Sequence, residues 1–166
     1  MSDRKYSMVA TGGTFDPLHA GHKHLLKRSF ELGDVVVIGL TSDEFARREG
    51  KVPDRPYKQR KAELDGYIRK TFPGRRYIIA KLDDFFGPGI ESRDVEALVA
   101  SPETGKRVTL ANSLRAKQGF PPLELEVIDW VEAEDGAPIS STRIRRGEID
   151  DEGRLPLGKG KERSTA

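Results

Sequence analysis

The chain has 166 residues, 36% hydrophobic and 34% charged, which suits one domain with a buried core and a well-solvated surface. It contains no cysteine, which excludes disulfides, thiolate metal sites and a cysteine nucleophile. The formal charge of +2 is too small to argue for a nucleic-acid or membrane partner. Met1 to Tyr6 is too charged for a secretory signal and no apolar window approaches a membrane span, so a cytoplasmic location is expected.

Taken in order, Tyr6 to Thr11 reads as the first strand. After two glycines an amphipathic helix is expected from His22 to Glu31, with Leu25, Leu26 and Phe30 on one face. Val35 to Leu40 is a continuous apolar run, the pattern of a parallel strand covered on both faces. Strand, helix and strand then form a right-handed βαβ unit. Thr41-Ser42-Asp43 caps a short helix over 44–48, and a polar loop around Gly50-Lys51-Val52-Pro53 leads into a helix over 57–70. A third strand spans 76–82. The loop over 83–92 contains Gly87-Pro88-Gly89, which reads as irregular structure. A fourth strand spans 94–100. Ser101-Pro102 then opens a helix expected to run unbroken to about Gln118, where Gly119 closes it. A fifth strand spans 123–131. The sum is an α/β, Rossmann-like, doubly wound fold with a mostly parallel five-stranded sheet. It occupies residues 1–147, and 148–166 reads as a polar, flexible C-terminal tail.

Two stretches carry chemistry. In Thr11-Gly-Gly-Thr-Phe-Asp-Pro-Leu-His-Ala-Gly-His22, a strand becomes a helix, the corner where open α/β sheets bind ligands. Gly12 and Gly13 let a phosphate approach the backbone, the helix start offers unpaired N–H groups, and Thr14 adds a hydroxyl. All three histidines of the chain, His19, His22 and His24, fall here. His19 and His22 lie three apart and project to one side if the spacing is helical, with Gly21 keeping the space between them clear. The competing readings are a tight turn with surface histidines or a two-histidine metal site. Against the second, no third ligand is well placed; Asp16 is nearest, and it more naturally ties down the turn. The second stretch is Ile139-Ser-Ser-Thr-Arg-Ile-Arg145. Its hydroxyls at a helix start, with Arg143 and Arg145, suit an anion. Alone it reads more often as an ordinary capped helix with solvated arginines.

The two stretches together resemble the paired signatures of the HxGH nucleotidyltransferase superfamily, relatives of the class I aminoacyl-tRNA synthetases. Thr41-Ser-Asp43, the Lys51 loop, residues 57–60, Val99-Ala-Ser-Pro-Glu-Thr104 and Asn112-Ser-Leu-Arg115 narrow the likeness. They are similar to the archaeal and eukaryotic type of phosphopantetheine adenylyltransferase, across about residues 6–147. The resemblance implies transfer of the adenylyl group of ATP to 4′-phosphopantetheine, giving dephospho-coenzyme A and pyrophosphate, with no protein nucleophile. It implies that His22 contacts the α-phosphate, His19 helps hold the triphosphate and Thr14 orients the reacting phosphate. Lys51 would neutralise the transferring group, with a solvated loop lysine as the alternative. Ser140, Ser141 and Thr142 would grip the leaving pyrophosphate. Gly12, Gly13, Phe15 and Arg145 fall in the nucleotide-binding signatures, and Arg115 would anchor a phosphate unless it is a surface arginine. Arg60, Arg143 and Arg145 are weaker candidates. Mg²⁺ is expected with ATP, without a dedicated protein site.

The sequence departs from the bacterial branch of this enzyme at the first HxGH histidine and at Ser101-Pro-Glu-Thr104, so that branch's pantetheine contacts do not transfer. Gly87-Pro88-Gly89 is a candidate lining for the pantetheine arm. Rival readings are another HxGH enzyme (an FAD synthetase, a cytidylyltransferase or a nicotinamide mononucleotide adenylyltransferase) or an RNA-binding relative of the synthetase fold. Dispersed basic residues and an aromatic content of only 7% weigh against RNA.

Overall fold

The computed structural model describes residues 3–85, 87–129 and 131–157. Five strands form one sheet: β1 (Tyr6–Gly13), β2 (Gly33–Thr41), β3 (Arg76–Leu82), β4 (Ala97–Ala100) and β5 (Glu124–Val127). Every pairing is parallel and the spatial order is β3-β2-β1-β4-β5. The helices are α1 (Ala20–Leu32), α2 (Asp43–Arg48), α3 (Tyr57–Thr71), α4 (Pro88–Glu91), α5 (Pro102–Gly105), α6 (Val108–Lys117) and α7 (Ser141–Arg145). The order reverses between β1 and β4, and these two strands pair only at Val9 with Ala97 and at Ala10 with Leu98. Beyond that they part, bridged by Thr11, whose hydroxyl donates to the Val99 carbonyl at 2.9 Å. That parting opens a crevice at the carboxyl ends of the strands.

Side-chain alternation along the strands sorts the core into two layers. Val9, Val36 and Ile38 pack with Leu25, Leu26 and Phe30 of α1 and with Leu64 and Ile68 of α3. Ala10 and Val37 face the other way, toward Ile90, Val95, Ala111 and Leu123. The helical faces expected from periodicity are the buried ones. Two buried arginines complete the scaffold. Arg60 donates to the carbonyls of Arg55, Thr14 and Thr41 and to the Asp43 carboxylate, at 2.6–3.0 Å. It thereby joins α3 to the ends of β1 and β2. Arg115 donates to the carbonyls of Pro121, Ser92 and Val95.

Several elements differ from the sequence reading. The helix expected over 101–118 is two helices, because the Arg107 N–H turns back to the Thr104 carbonyl, three residues behind. Gly87-Pro88-Gly89 does not prevent regular structure: the Gly87 carbonyl accepts from the N–H groups of Ile90 and Glu91, and Pro88 starts a one-turn helix. Strands β4 and β5 are four residues each, shorter than expected: their shared ladder runs only from Ala97 with Glu124 to Ala100 with Val127. The chain from 148 to 157 packs rather than hanging free. Ile149 is buried with Ala133 and Ile139, the Asp151 carbonyl accepts the Ala20 N–H at 2.8 Å, and Lys23 pairs with Glu152 at 2.9 Å. Its polarity concealed two apolar anchors, Ile149 and Leu155. Trp130, in the expected fifth strand, and 158–166, in the expected tail, lie outside the described residues.

The segment after α7 therefore clamps that helix against the start of α1. Truncating Ile149 to alanine is expected to destabilise the protein by about 2–4 kcal/mol in urea unfolding, the cost of a buried large-to-small change. A free tail would make the substitution neutral.

Candidate active site

The crevice is a cleft of about 650 Å³ lined from β1, β2, β3 and β4 and from the starts of α1 and α7, a size that suits a small-molecule ligand. Gly12 and Gly39 sit opposite each other across β1 and β2 and both line it. A Cβ on Gly12 would meet the Gly39 carbonyl oxygen at 2.9 Å, and one on Gly39 would meet Leu82 at 2.6 Å. The glycines thus keep the cleft floor bare.

After Gly13 the chain reverses through Phe15, the one non-glycine among the described residues with a left-handed backbone (φ 51°). The conformation drives the Phe15 ring inward, where it is buried against Gly13 and lies 4.6 Å from the His22 ring. Helix α1 then starts at Ala20, two residues earlier than expected, with His19 as its N-cap. The His19 Nδ1 accepts the N–H groups of Gly21 and His22 at 3.0 and 3.3 Å, and His22 Nδ1 accepts the His19 N–H at 3.3 Å. This is a capping box built from two histidines. It stacks their rings 3.7 Å apart, 19° from parallel, so the two do project together. Because His19 Nδ1 is an acceptor, its proton resides on Nε2.

Gly21 has a different task from the one its sequence position suggests. A Cβ there would meet the His19 ring at 2.8 Å, so the glycine makes room for the cap itself.

Both imidazoles are held neutral. Burial lowers the His19 pKa to about 4. Burial also lowers His22 well below 6.5, helped by the His19 and Lys51 charges and opposed by a hydrogen bond with the Pro17 backbone. His24 points to solvent and takes no part.

Thr14, Lys51, Ser140, Ser141, Thr142 and Arg145 all reach this cleft, although over a hundred residues separate the two motifs. Ser140 is the N-cap of α7, its hydroxyl accepting the Arg143 N–H at 3.2 Å. Arg145 donates to the Asp16 carbonyl at 2.9 Å, which fastens the second motif to the first. Three arginines that the sequence offered as candidates are not cleft-lining. Arg115 is wholly buried on backbone carbonyls, so it props α6 rather than anchoring a phosphate. Arg60 is spent in the same way. Arg143 pairs with Asp135 and donates to the Pro138 carbonyl.

Glu103, from the Val99-Ala-Ser-Pro-Glu-Thr104 stretch, also lines the cleft. Arg107, which no motif singled out, stands beyond it and lies over the Phe85 ring at 4.5 Å. Its available signal was position alone, after a parallel strand. Between the sheet and α4 and α6 the cleft runs on as an apolar slot lined by Ala10, Val37, Ile90, Leu98, Ala111 and Leu123. Gly87 lies at its wall. Among the described residues no helix is long and apolar enough to cross a membrane.

A crevice at the switch point of a parallel sheet, floored by glycines and flanked by two helix starts, is suited to a ligand that carries phosphate. Residues 10–147 match the cytidylyltransferase-like family. At 45% identity the chain is similar to the phosphopantetheine adenylyltransferase of Methanothermobacter thermautotrophicus, over 92% of this chain and 91% of the other. At 41% it is similar to the enzyme of that name from Pyrococcus furiosus, over 89% and 92%. A crystal structure of a protein of unknown function from Archaeoglobus fulgidus superposes with a TM-score of 0.66 at 33% identity, covering 74% of this chain and 89% of that one. The tyrosyl-tRNA synthetase of the same organism, 13% identical, shares the fold with a TM-score of 0.57, over 85% and 60%. The chain belongs to the cytidylyltransferase-like family and, within it, to the phosphopantetheine adenylyltransferases.

Two outcomes test this geometry. Substituting Arg115 with methionine is expected to lower stability by about 3 kcal/mol, since buried carbonyls lose their donors, with KM for the nucleotide within about twofold of wild type. A tenfold rise in KM would restore Arg115 to the site. For pH, His19 binds its proton less readily folded (about 4) than unfolded (6.5). The unfolded chain therefore holds more protons between these values. Stability is full above about pH 6.5 and falls as pH drops toward 4, by about 3 kcal/mol for this group. Exchanging His19 for asparagine, which caps without titrating, should shrink the slope in acid-unfolding curves.

Proposed function

We propose that the cleft adenylylates 4′-phosphopantetheine with ATP, releasing dephospho-coenzyme A and pyrophosphate, as a cytoplasmic step of coenzyme A synthesis. The observation that carries this reading is the 2.9 Å bond from Arg145 to the Asp16 carbonyl. It closes two motifs around one cleft, so that one set of donors can face the attacked phosphorus and another the departing pyrophosphate. The chemistry is a direct in-line displacement: the pantetheine phosphate oxygen bonds to the α-phosphorus as the bond to the bridging oxygen of pyrophosphate breaks. Catalysis then consists of positioning and of charge stabilisation as the transition state forms.

Neutral imidazoles at His19 and His22 contribute oriented hydrogen bonds, while Lys51 and Arg145 contribute fixed positive charge. Thr14 orients the attacking phosphate. Ser140, Ser141 and Thr142, with the first N–H groups of α7, receive the leaving group. The apolar slot between the sheet and α4 and α6 suits the uncharged arm of pantetheine, whose two amides and thiol need little charge around them. Among the described residues no three His, Asp or Glu side chains are placed to hold a metal ion. Glu49, Glu103 and Asp129 line the cleft but form no such group. This donor set fits Mg²⁺ carried on the nucleotide's phosphates, where it would neutralise charge, rather than in a protein cage.

Pyrophosphate release with ATP and 4′-phosphopantetheine tests the reading. Wild type should turn over with ATP well ahead of CTP, and His22→Ala should lose about 10²–10³ in kcat, the usual cost of one transition-state donor. Equal rates for the two proteins would remove His22 from the mechanism, and preference for CTP would replace the assigned nucleotide.

A further inference from the structure

Asp16 is wholly buried, yet it is not among the cleft-lining residues. Its carboxylate accepts the Asp54 N–H at 2.6 Å through one oxygen and the Arg55 Nε at 3.0 Å through the other. Its carbonyl accepts Arg145. Three segments separated in sequence therefore meet on one residue: the HxGH corner, the loop between α2 and α3, and the second motif. The loop is otherwise held at its two ends. Before it, the Lys51 N–H reaches the Ala46 carbonyl at 2.8 Å, and after it Arg55 bonds Glu63 and its carbonyl accepts Arg60. Val52, between them, is three-quarters exposed. Lys51 is thus held behind by its own N–H on the Ala46 carbonyl and ahead, three residues on, by the Asp16 carboxylate, with exposed Val52 between the two anchors.

We infer that Asp16 is a positioning residue for the transfer step, holding the Lys51 loop over the phosphate end of the cleft while its carbonyl holds Arg145. A buried carboxylate is retained only with partners that compensate its lost hydration. Here the compensating groups are the loop's own N–H and guanidinium, so desolvating the carboxylate and seating the loop are one event. Charge assistance makes these bonds short and directional, and a cationic side chain displaced by an ångström from a reacting phosphate forfeits much of its effect. Asp16 itself touches no substrate. Its contribution acts through Lys51, an inference that rests on the proposed reaction.

The test is Asp16→Asn, which keeps an acceptor for the Asp54 N–H but sets an N–H₂ group against Arg55. In the wild-type background, kcat for pyrophosphate release should fall about 10–100-fold, with KM for ATP changed less than about threefold. In a Lys51→Ala background the same substitution should cost less than about threefold, because no lysine remains to be placed. Equal losses in both backgrounds would mean a general structural role and would overturn the inference. Amide hydrogen exchange supplies a second arm that needs no turnover: Asp16→Ala, which removes the acceptor of the Asp54 N–H, should speed exchange at Asp54 while the core strands keep their protection. Unchanged exchange there would also overturn it. A wild-type protein inactive on the assigned substrates would instead overturn the reaction, leaving exchange to decide the role of Asp16.

Discussion

The structure depends on keeping side chains out of the place where β1 and β2 end. Gly12 faces Gly39 across the ladder, with room for no Cβ between the first and the carbonyl of the second. On the other side β1 leaves β4 after two pairs. Hydrophobic burial along the rest of these strands, from Val9 to Leu40, supplies the stability that this open end does not. The cleft is thus a deliberate gap in an otherwise close-packed sheet.

Around that gap, polar groups serve the backbone first and the ligand second. His19 is a helix cap and a cleft residue at once, and Ser140 repeats the arrangement at α7. The capping duty fixes which imidazole nitrogen is an acceptor and so leaves the opposite one as donor. Burial keeps both rings neutral. Phosphate would therefore meet oriented donors with little reorganisation, and full charge would come from residues nearer solvent, Lys51 and Arg145. Capping, tautomer and protonation state here are consequences of one local geometry.

The buried arginines show the reverse economy. Arg60 and Arg115 look in sequence like cations available to a phosphate, yet both are buried on main-chain carbonyls, with the Asp43 carboxylate also holding Arg60. An irregular connection arriving at a sheet edge leaves carbonyls without ladder partners, and a guanidinium can satisfy several at once. Arg60 does this at the ends of β1 and β2, so it shapes the cleft from behind. The packing of 148–157 under α7 is likewise support for a motif and not part of it.

Strand and helix order, the covered face of α1, the parallel sheet and the two stretches that line the cleft were legible in the sequence. Each follows from local periodicity or from residue chemistry within a dozen positions, which neighbouring residues impose regardless of the rest of the chain. Contacts between distant segments were not legible. The burial of Ile149 depends on Ala133 and Ile139, on the far side of α7, while the split between α5 and α6 and the turn at Pro88 rest on short-range bonds that periodicity does not announce. The choice of Arg145 over Arg60, Arg115 and Arg143 for the cleft was not legible either, because any arginine pairs with whatever acceptor the fold brings near. Residue chemistry and spacing singled out the two stretches that meet at one cleft. The tertiary structure decided which cations face it, since only folding reveals which charges are already taken.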